Sequence, residues 1–213
     1  MPAHSESRYG RPVLVAMATA PRRQQRRARI ITAATRLAAH EVGAVQIRQV
    51  ADRAGVSPST VYRYFSSKDD LLVACLHQWL AEISHRGHDV SQSTDPIERV
   101  LCLTERLTNE LLTRPLLADA AARAYLYANG EAAENAALCR NALSQMFTDA
   151  LDRADNQYSR DIGDLIADVW STNIPAIIRR RSSIGGLLKR LESAMTAIGV
   201  GPVPLPSARC HTA

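Results

Sequence analysis

Between Ser57 and Tyr64 the chain reads SPSTVYRY, which offers hydroxyls (Ser57, Ser59, Thr60), phenols (Tyr62, Tyr64) and a guanidinium (Arg63) with no carboxylate among them. Such donors and acceptors match the phosphate oxygens and base edges of a nucleic acid, and the lack of acid removes repulsion from a polyanion. Arg48 just upstream and Lys68 just downstream add cations to the same neighbourhood. No phosphate-binding glycine loop, nucleophile motif or metal-ligand spacing occurs in the chain, so enzymatic chemistry has no evident carrier.

The elements that must present these groups are written around them. Ile47, Val50, Ala51 and Ala54 recur at helical spacing and give a short helix one apolar face. Gly55 follows, able to take the left-handed conformation that ends a helix. Ser57 stands at an N-cap, with Pro58 at the first helical position, where its missing N–H costs nothing. The spacing predicts a second helix over 58–65 that turns Val61 and Phe65 inward and leaves the polar groups outside. Ser66 or Ser67 caps the next helix, and Asp69 and Asp70 suit its positive end. The unit is a helix-turn-helix reader of double-stranded DNA.

Charge points the same way. From Pro21 to Lys68 there are ten Arg or Lys against two acids, Glu41 and Asp52, a net of +8. From Asp69 onward, fourteen basic and eighteen acidic residues give −4. A basic head on a mildly acidic body implies a polyanionic partner for the head alone. The first long helix, over 24–41, is preceded and opened by Arg22, Arg23, Arg26, Arg27 and Arg29. Helix starts ordinarily favour acids, so this run argues for an external anion, with Arg26 and Arg27 as phosphate contacts.

The segment ADRAGV (51–56) with Thr60, Tyr62, Tyr64-Phe65, Lys68 and Leu71-Leu72 resembles the DNA-binding segment of the TetR family of bacterial regulators. The resemblance implies that the second short helix enters the major groove. It implies DNA contacts from Arg48, Ser57, Ser59, Thr60, Tyr62 and Tyr64, and a phosphate anchor at Lys68. Outside the head, RPLLADAAARAYLYAN (114–129) and IADVWSTNIPAIIRRR (166–181) look like segments of the KstR-type members of that family, repressors of cholesterol and steroid catabolism. That similarity implies release from the operator by a CoA thioester of a steroid or other bulky acyl group. An aromatic, drug-like inducer on the same fold, as in regulators of efflux or antibiotic response, is the rival; a sequence-blind architectural DNA binder is a further one.

Elsewhere the chain is rich in Ala, Leu and Arg, lacks sustained strand alternation and carries amphipathic segments punctuated by Pro and Gly. An all-α, two-domain architecture of about nine helices follows: an arm without structure (1–21), a helix-turn-helix domain (22–66), a ligand-binding and dimerisation domain (67–199) and a disordered tail (200–213). The apolar stretch VLVAMATA (13–20) imitates a secretory signal, but an arm before a cytoplasmic DNA-binding head is expected instead. No run approaches a membrane span, and no cofactor is implied. Cys75, Cys102, Cys139 and Cys210 are spread too far apart in sequence for a motif and suit reduced thiols; His77, His85 and His88 fit no metal pattern.

Two late helices, over 159–181 and 184–198, each carry an apolar stripe. Ile166, Val169, Ile177, Leu187, Leu191 and Met195 are expected to pair two subunits, so that Asp at Leu187 and Leu191 would give monomers. A homodimer on a pseudo-palindromic operator suits a short reading helix, which alone contacts too few bases. The expected pocket, among the fifth to eighth helices, is lined by Leu107, Leu111, Tyr125, Met146, Trp170 and Asn173. Trp170 and Asn173, three apart, would pair an apolar wall with a polar handle. Arg106 and Arg123 are the cations expected to meet the CoA phosphates, and Pro175 is expected to kink its helix.

Overall fold

The computed structural model describes residues 12–40, 45–86, 93–151 and 156–200. Expectations for 1–11, 41–44, 87–92, 152–155 and 201–213, including His88, Cys210 and most of the tail, lie outside these. Among the described residues every element is helical: α1 (Pro12–His40), α2 (Ile47–Ala54), α3 (Pro58–Tyr62), α4 (Lys68–His85), α5 (Pro96–Leu112), α6 (Pro115–Leu126), α7 (Ala132–Leu151), α8 (Gln157–Ile178) and α9 (Ile184–Ala197). No helix among them is long and apolar enough to cross a membrane.

Local chemistry sets most of the boundaries. Gly55 ends α2 at φ 64°, where Val56 N–H bonds Ala51 O and Gly55 N–H bonds Asp52 O, a Schellman pair. A side chain there would also crowd Arg29, whose Nη2 donates to Ala54 O at 2.5 Å. Ser57 Oγ accepts from Thr60 N–H to open α3, and Ser67, rather than Ser66, accepts from Asp70 N–H to open α4. Asp95, Asn156 and Ser183 cap α5, α8 and α9 in the same manner.

The head packs Ile30, Ile31, Ala34, Leu37 and Ala38 of α1 over Val50, Ala51, Val61 and Phe65, all buried. In the body α7 lies between α4 and α8, contributing Cys139, Leu143, Met146 and Phe147 to the core. Its approach to α8 is close because Gly163 leaves room: a Cβ there would sit 2.3 Å from Thr148 Oγ1 and 2.9 Å from Ser144 O. Arg99 closes the C-terminal end of α7, donating to the carbonyls of Ala150 (2.7 Å) and Leu151 (2.8 Å).

Three expectations are corrected. The first helix begins at Pro12, not near Gln24, so residues 12–20 of the supposed arm are helical; the Ala-rich stretch is a good helix former and tolerates the missing bond at Pro21. Pro175 falls in the last turn of α8, where the missing bond stands one turn from the helix end. And Ile166, Ile177, Leu187, Leu191 and Met195, expected at a subunit interface, are all buried within the chain, with α9 laid on α5; only Val169 is half-buried. A stripe on a peripheral helix reads alike whether its partner is another chain or a helix far upstream.

Candidate DNA-binding face and ligand cavity

On the head, Arg48, Ser57, Ser59, Tyr62 and Arg63 are exposed, with Thr60, Tyr64 and Lys68 half-buried. Tyr62, 55% exposed, is the large side chain that α3 leaves in solvent. The hydroxyls of Ser57, Ser59 and Thr60 form a local chain, Ser57 Oγ lying 2.9 Å from each of the other two. Arg22, Arg23 and Arg26 of α1 and Arg63 and Tyr64 beside α3 line one surface groove of about 510 Å³ with no acid in its walls. The Arg23 guanidinium lies 6.0 Å over the Tyr64 ring, tying the middle of α1 to the end of the reading unit. Four guanidiniums converging on one groove make a receptor for phosphates.

Arg27 departs from this group. It is half-buried, donates to Asn135 Oδ1 at 3.2 Å and stacks 5.2 Å over Phe65, so it is occupied inside the protein rather than aimed at a phosphate. One helical turn on from Arg23, it faces the body helices instead of the groove.

A cavity of about 720 Å³ opens between α1 of the head and α4, α5 and α6 of the body, within the range of small-molecule sites. Thr35, Cys75, Leu76, Trp79, Leu111, Leu117, Ala118 and Ala121 form its walls. Leu76, Leu111 and Ala118 also border a narrow inner crevice of about 10 Å³ that ends on Tyr125, Leu143, Trp170, Ser171 and Ile174. Burial pushes the Cys75 thiol up to about 12, so the wall is neutral there. Burial likewise raises the Tyr125 phenol, a hydrogen bond with Ser171 opposing it. The Trp170 indole N–H is satisfied by Thr108 Oγ1 at 3.0 Å, leaving the ring to line the crevice.

The mouth is charged. Glu82, His85, Arg86, Glu110 and Arg114 surround it, with Arg86 paired to Glu110 at 3.1 Å. An exposed pair of this kind contributes little, so an arriving anion can take Arg86 from Glu110 at small cost.

Of the six expected pocket residues, Leu111, Tyr125 and Trp170 come together in this double chamber. Leu107 and Met146 are instead sealed in the core. Asn173 is turned to the seam with α9: its Nδ2 donates to Val169 O and its Oδ1 accepts from Arg190 at 2.8 Å. Three residues on a helix differ by about 60° in direction, enough to send Trp170 inward and Asn173 sideways. Arg106 is engaged by Glu110 and Arg123 by Asp119, and neither lines the mouth. Arg86 and Arg114 hold that place. Their sequence signal, cations at the ends of helices whose apolar faces meet, becomes readable only once α4, α5 and α6 are known to converge.

Two family descriptions match the chain: "Bacterial regulatory proteins, tetR family" over residues 30–75, and "Tetracyclin repressor-like, C-terminal domain" over 93–198. The HTH-type transcriptional repressor KstR of Rhodococcus jostii (strain RHA1) is 35% identical over 173 residues, covering 79% of this chain and 80% of the relative. A crystal structure of a TetR transcriptional regulator from Rhodococcus sp. RHA1 superposes with TM-score 0.72 at 28% identity, covering 84% of this chain and 98% of that one. Thermus thermophilus FadR, a TetR-family repressor crystallised with lauroyl-CoA, shares the fold with TM-score 0.60 at 19% identity, covering 85% and 98%. With the reading unit, the basic groove and the helical body in place, these matches set the enzyme alternative aside, and the chain belongs to the TetR family of bacterial transcriptional regulators.

Proposed function

We propose that this protein is a cytoplasmic homodimeric repressor of lipid or steroid catabolism genes, released from a pseudo-palindromic operator by the CoA thioester of a steroid or long acyl chain. The observation that carries the ligand class is the cavity's division into a mainly apolar interior and a charged mouth, where Arg86 and Arg114 stand beside Glu82 and Glu110. An apolar group buried inside gains about 25 cal/mol for each Å² removed from water. The phosphates of CoA would stay outside, where guanidiniums can hold them. The naming of a KstR relative and the lauroyl-CoA bound to a structural neighbour agree with this class. Release follows if the ligand binds the DNA-incompetent arrangement better, and only by that difference in affinity. Aromatic walls from Trp79, Tyr125 and Trp170 favour the second reading, a drug-like inducer.

Operator-release titrations separate the two. A steroid or long-chain acyl-CoA is expected to release the protein and the free acid to act far less well. If neither acts while an aromatic drug does, the thioester assignment fails and the drug-responsive one stands.

For DNA, Arg48→Ala or Tyr62→Ala is expected to weaken operator binding by about 1–3 kcal/mol with helicity intact. Lys68→Ala, or removal of Arg23 and Arg26, should instead lower affinity for all sequences and flatten the salt dependence, by roughly one unit of slope for each phosphate that is no longer neutralised. Operator binding by both Arg48→Ala and Tyr62→Ala at wild-type strength would move the recognition surface elsewhere.

The subunit partner we propose is a second copy seated on the outward sides of α8 and α9. Tyr158, Leu165 and Ile198 are exposed there, 56%, 52% and 45%, with Val169 half-buried beside them.

A further inference from the structure

Asn135 stands near the start of α7, in the body, yet its side chain reaches Arg27 of the DNA-binding head and Asp70 in the first turn of α4, just past the head. Its Nδ2 donates to Asp70 Oδ1 at 2.5 Å, and its Oδ1 accepts from Arg27 Nη2 at 3.2 Å. Each partner then holds one side of the residues that follow α3. Asp70 Oδ2 accepts from Ser66 N–H at 2.9 Å and from Ser66 Oγ at 3.3 Å. The Arg27 guanidinium lies over the ring of Phe65, which is 1% exposed and anchors the reading unit in the head core. A single half-buried amide thereby ties Phe65 and Ser66 to the body.

The residue types suit this task. A neutral amide presents a donor and an acceptor side by side, so it can join a carboxylate to a guanidinium without adding charge. Asp70 is 4% exposed, and a buried carboxylate is tolerated only when its oxygens are satisfied; Ser66 and Asn135 together do that. The connection also has leverage. α4, which carries Asp70, forms one wall of the cavity, and α7 packs against both α4 and α8. A shift of α4 against α7 would stretch the Asn135 amide between its partners.

We propose that Asn135 is a positioning residue for DNA recognition: through Asp70–Ser66 and Arg27–Phe65 it fixes the angle at which α3 is presented from the body. Loss of the amide would leave the head folded but free to pivot. Specific binding, which in the dimer proposed above needs both heads in register, would fall, while phosphate-driven binding to any sequence would persist.

The test uses the full chain, a duplex selected by the wild-type protein from a random pool, and a mixed-sequence duplex of equal length. Asn135→Asp sets two carboxylates face to face; it is expected to lower affinity for the selected duplex by about tenfold or more, and for the mixed duplex by less than about threefold. The swapped pair Asp70→Asn with Asn135→Asp rebuilds the carboxylate–amide contact in reverse order and should restore selected-duplex affinity to within about threefold. Asn135→Leu, which adds no charge, decides the case if Asn135→Asp does not fold. Circular dichroism and light scattering at the binding temperature establish fold and mass. A double variant as weak as Asn135→Asp alone, equal losses on both duplexes, or an Asn135→Leu variant that binds the selected duplex like wild type would each overturn the proposal.

Discussion

Leu187→Asp is expected to unfold this chain rather than release an intact subunit. The Leu187 side chain is fully buried where α9 packs on α5, with Leu191 and Met195 continuing the same contact one and two turns on. A charge buried there without a partner costs about 4 kcal/mol or more. For a chain of this size about 2–4 °C of melting temperature goes with each kcal/mol, so a fall of about 10 °C or more should appear by circular dichroism. Leu165→Asp is the contrast. Leu165 is 52% exposed on α8, so the fold should survive, and light scattering should report a smaller mass if the proposed second copy sits on this side. Should Leu187→Asp instead melt within a few degrees of wild type and scatter as a monomer, the α9 stripe would be a subunit interface after all.

The contrast marks where sequence ceases to specify structure. Gly55, Ser57 and Pro58 were legible because each acts on backbone within a few residues of itself: a left-handed stop, a cap, a first-turn proline; the second cap was narrowed only to Ser66 or Ser67, and the structure assigns it to Ser67. The polar face of α3 was legible for the same reason, since helical spacing alone sends Val61 inward and Tyr62 outward. Direction around a long helix was harder. Arg26 and Arg27 are neighbours in one basic run, yet the first lines the phosphate groove and the second is claimed by Asn135, 108 residues away. Asn173 was misplaced by an angle of about 60°, and Leu187 by the identity of its partner helix. In each case the deciding contact is distant in sequence, and periodicity carries no record of it.

The cavity yields the other large effect, because a side chain can occupy it without touching the DNA-binding face. Leu117 lies on its wall and is half-buried, so Leu117→Trp can turn an indole into existing space instead of forcing the core apart. Denying an inducer about 100 Å² of apolar contact removes about 2.5 kcal/mol, so the concentration for half-release should rise close to a hundredfold. Operator affinity without inducer should stay near wild type, because the outer chamber is already open in this structure while the inner crevice is almost closed. An inducer long enough to pass Leu76, Leu111 and Ala118 must open that crevice and bear on Trp170 and Ile174 of α8; an indole fixed at position 117 is placed on the outer chamber. Titrating operator complexes of Leu117→Trp with the thioester that releases wild type measures both quantities. If the variant lost its operator with no inducer present, filling the outer chamber would itself be the signal, and the crevice on α8 would have no part in reading ligand length.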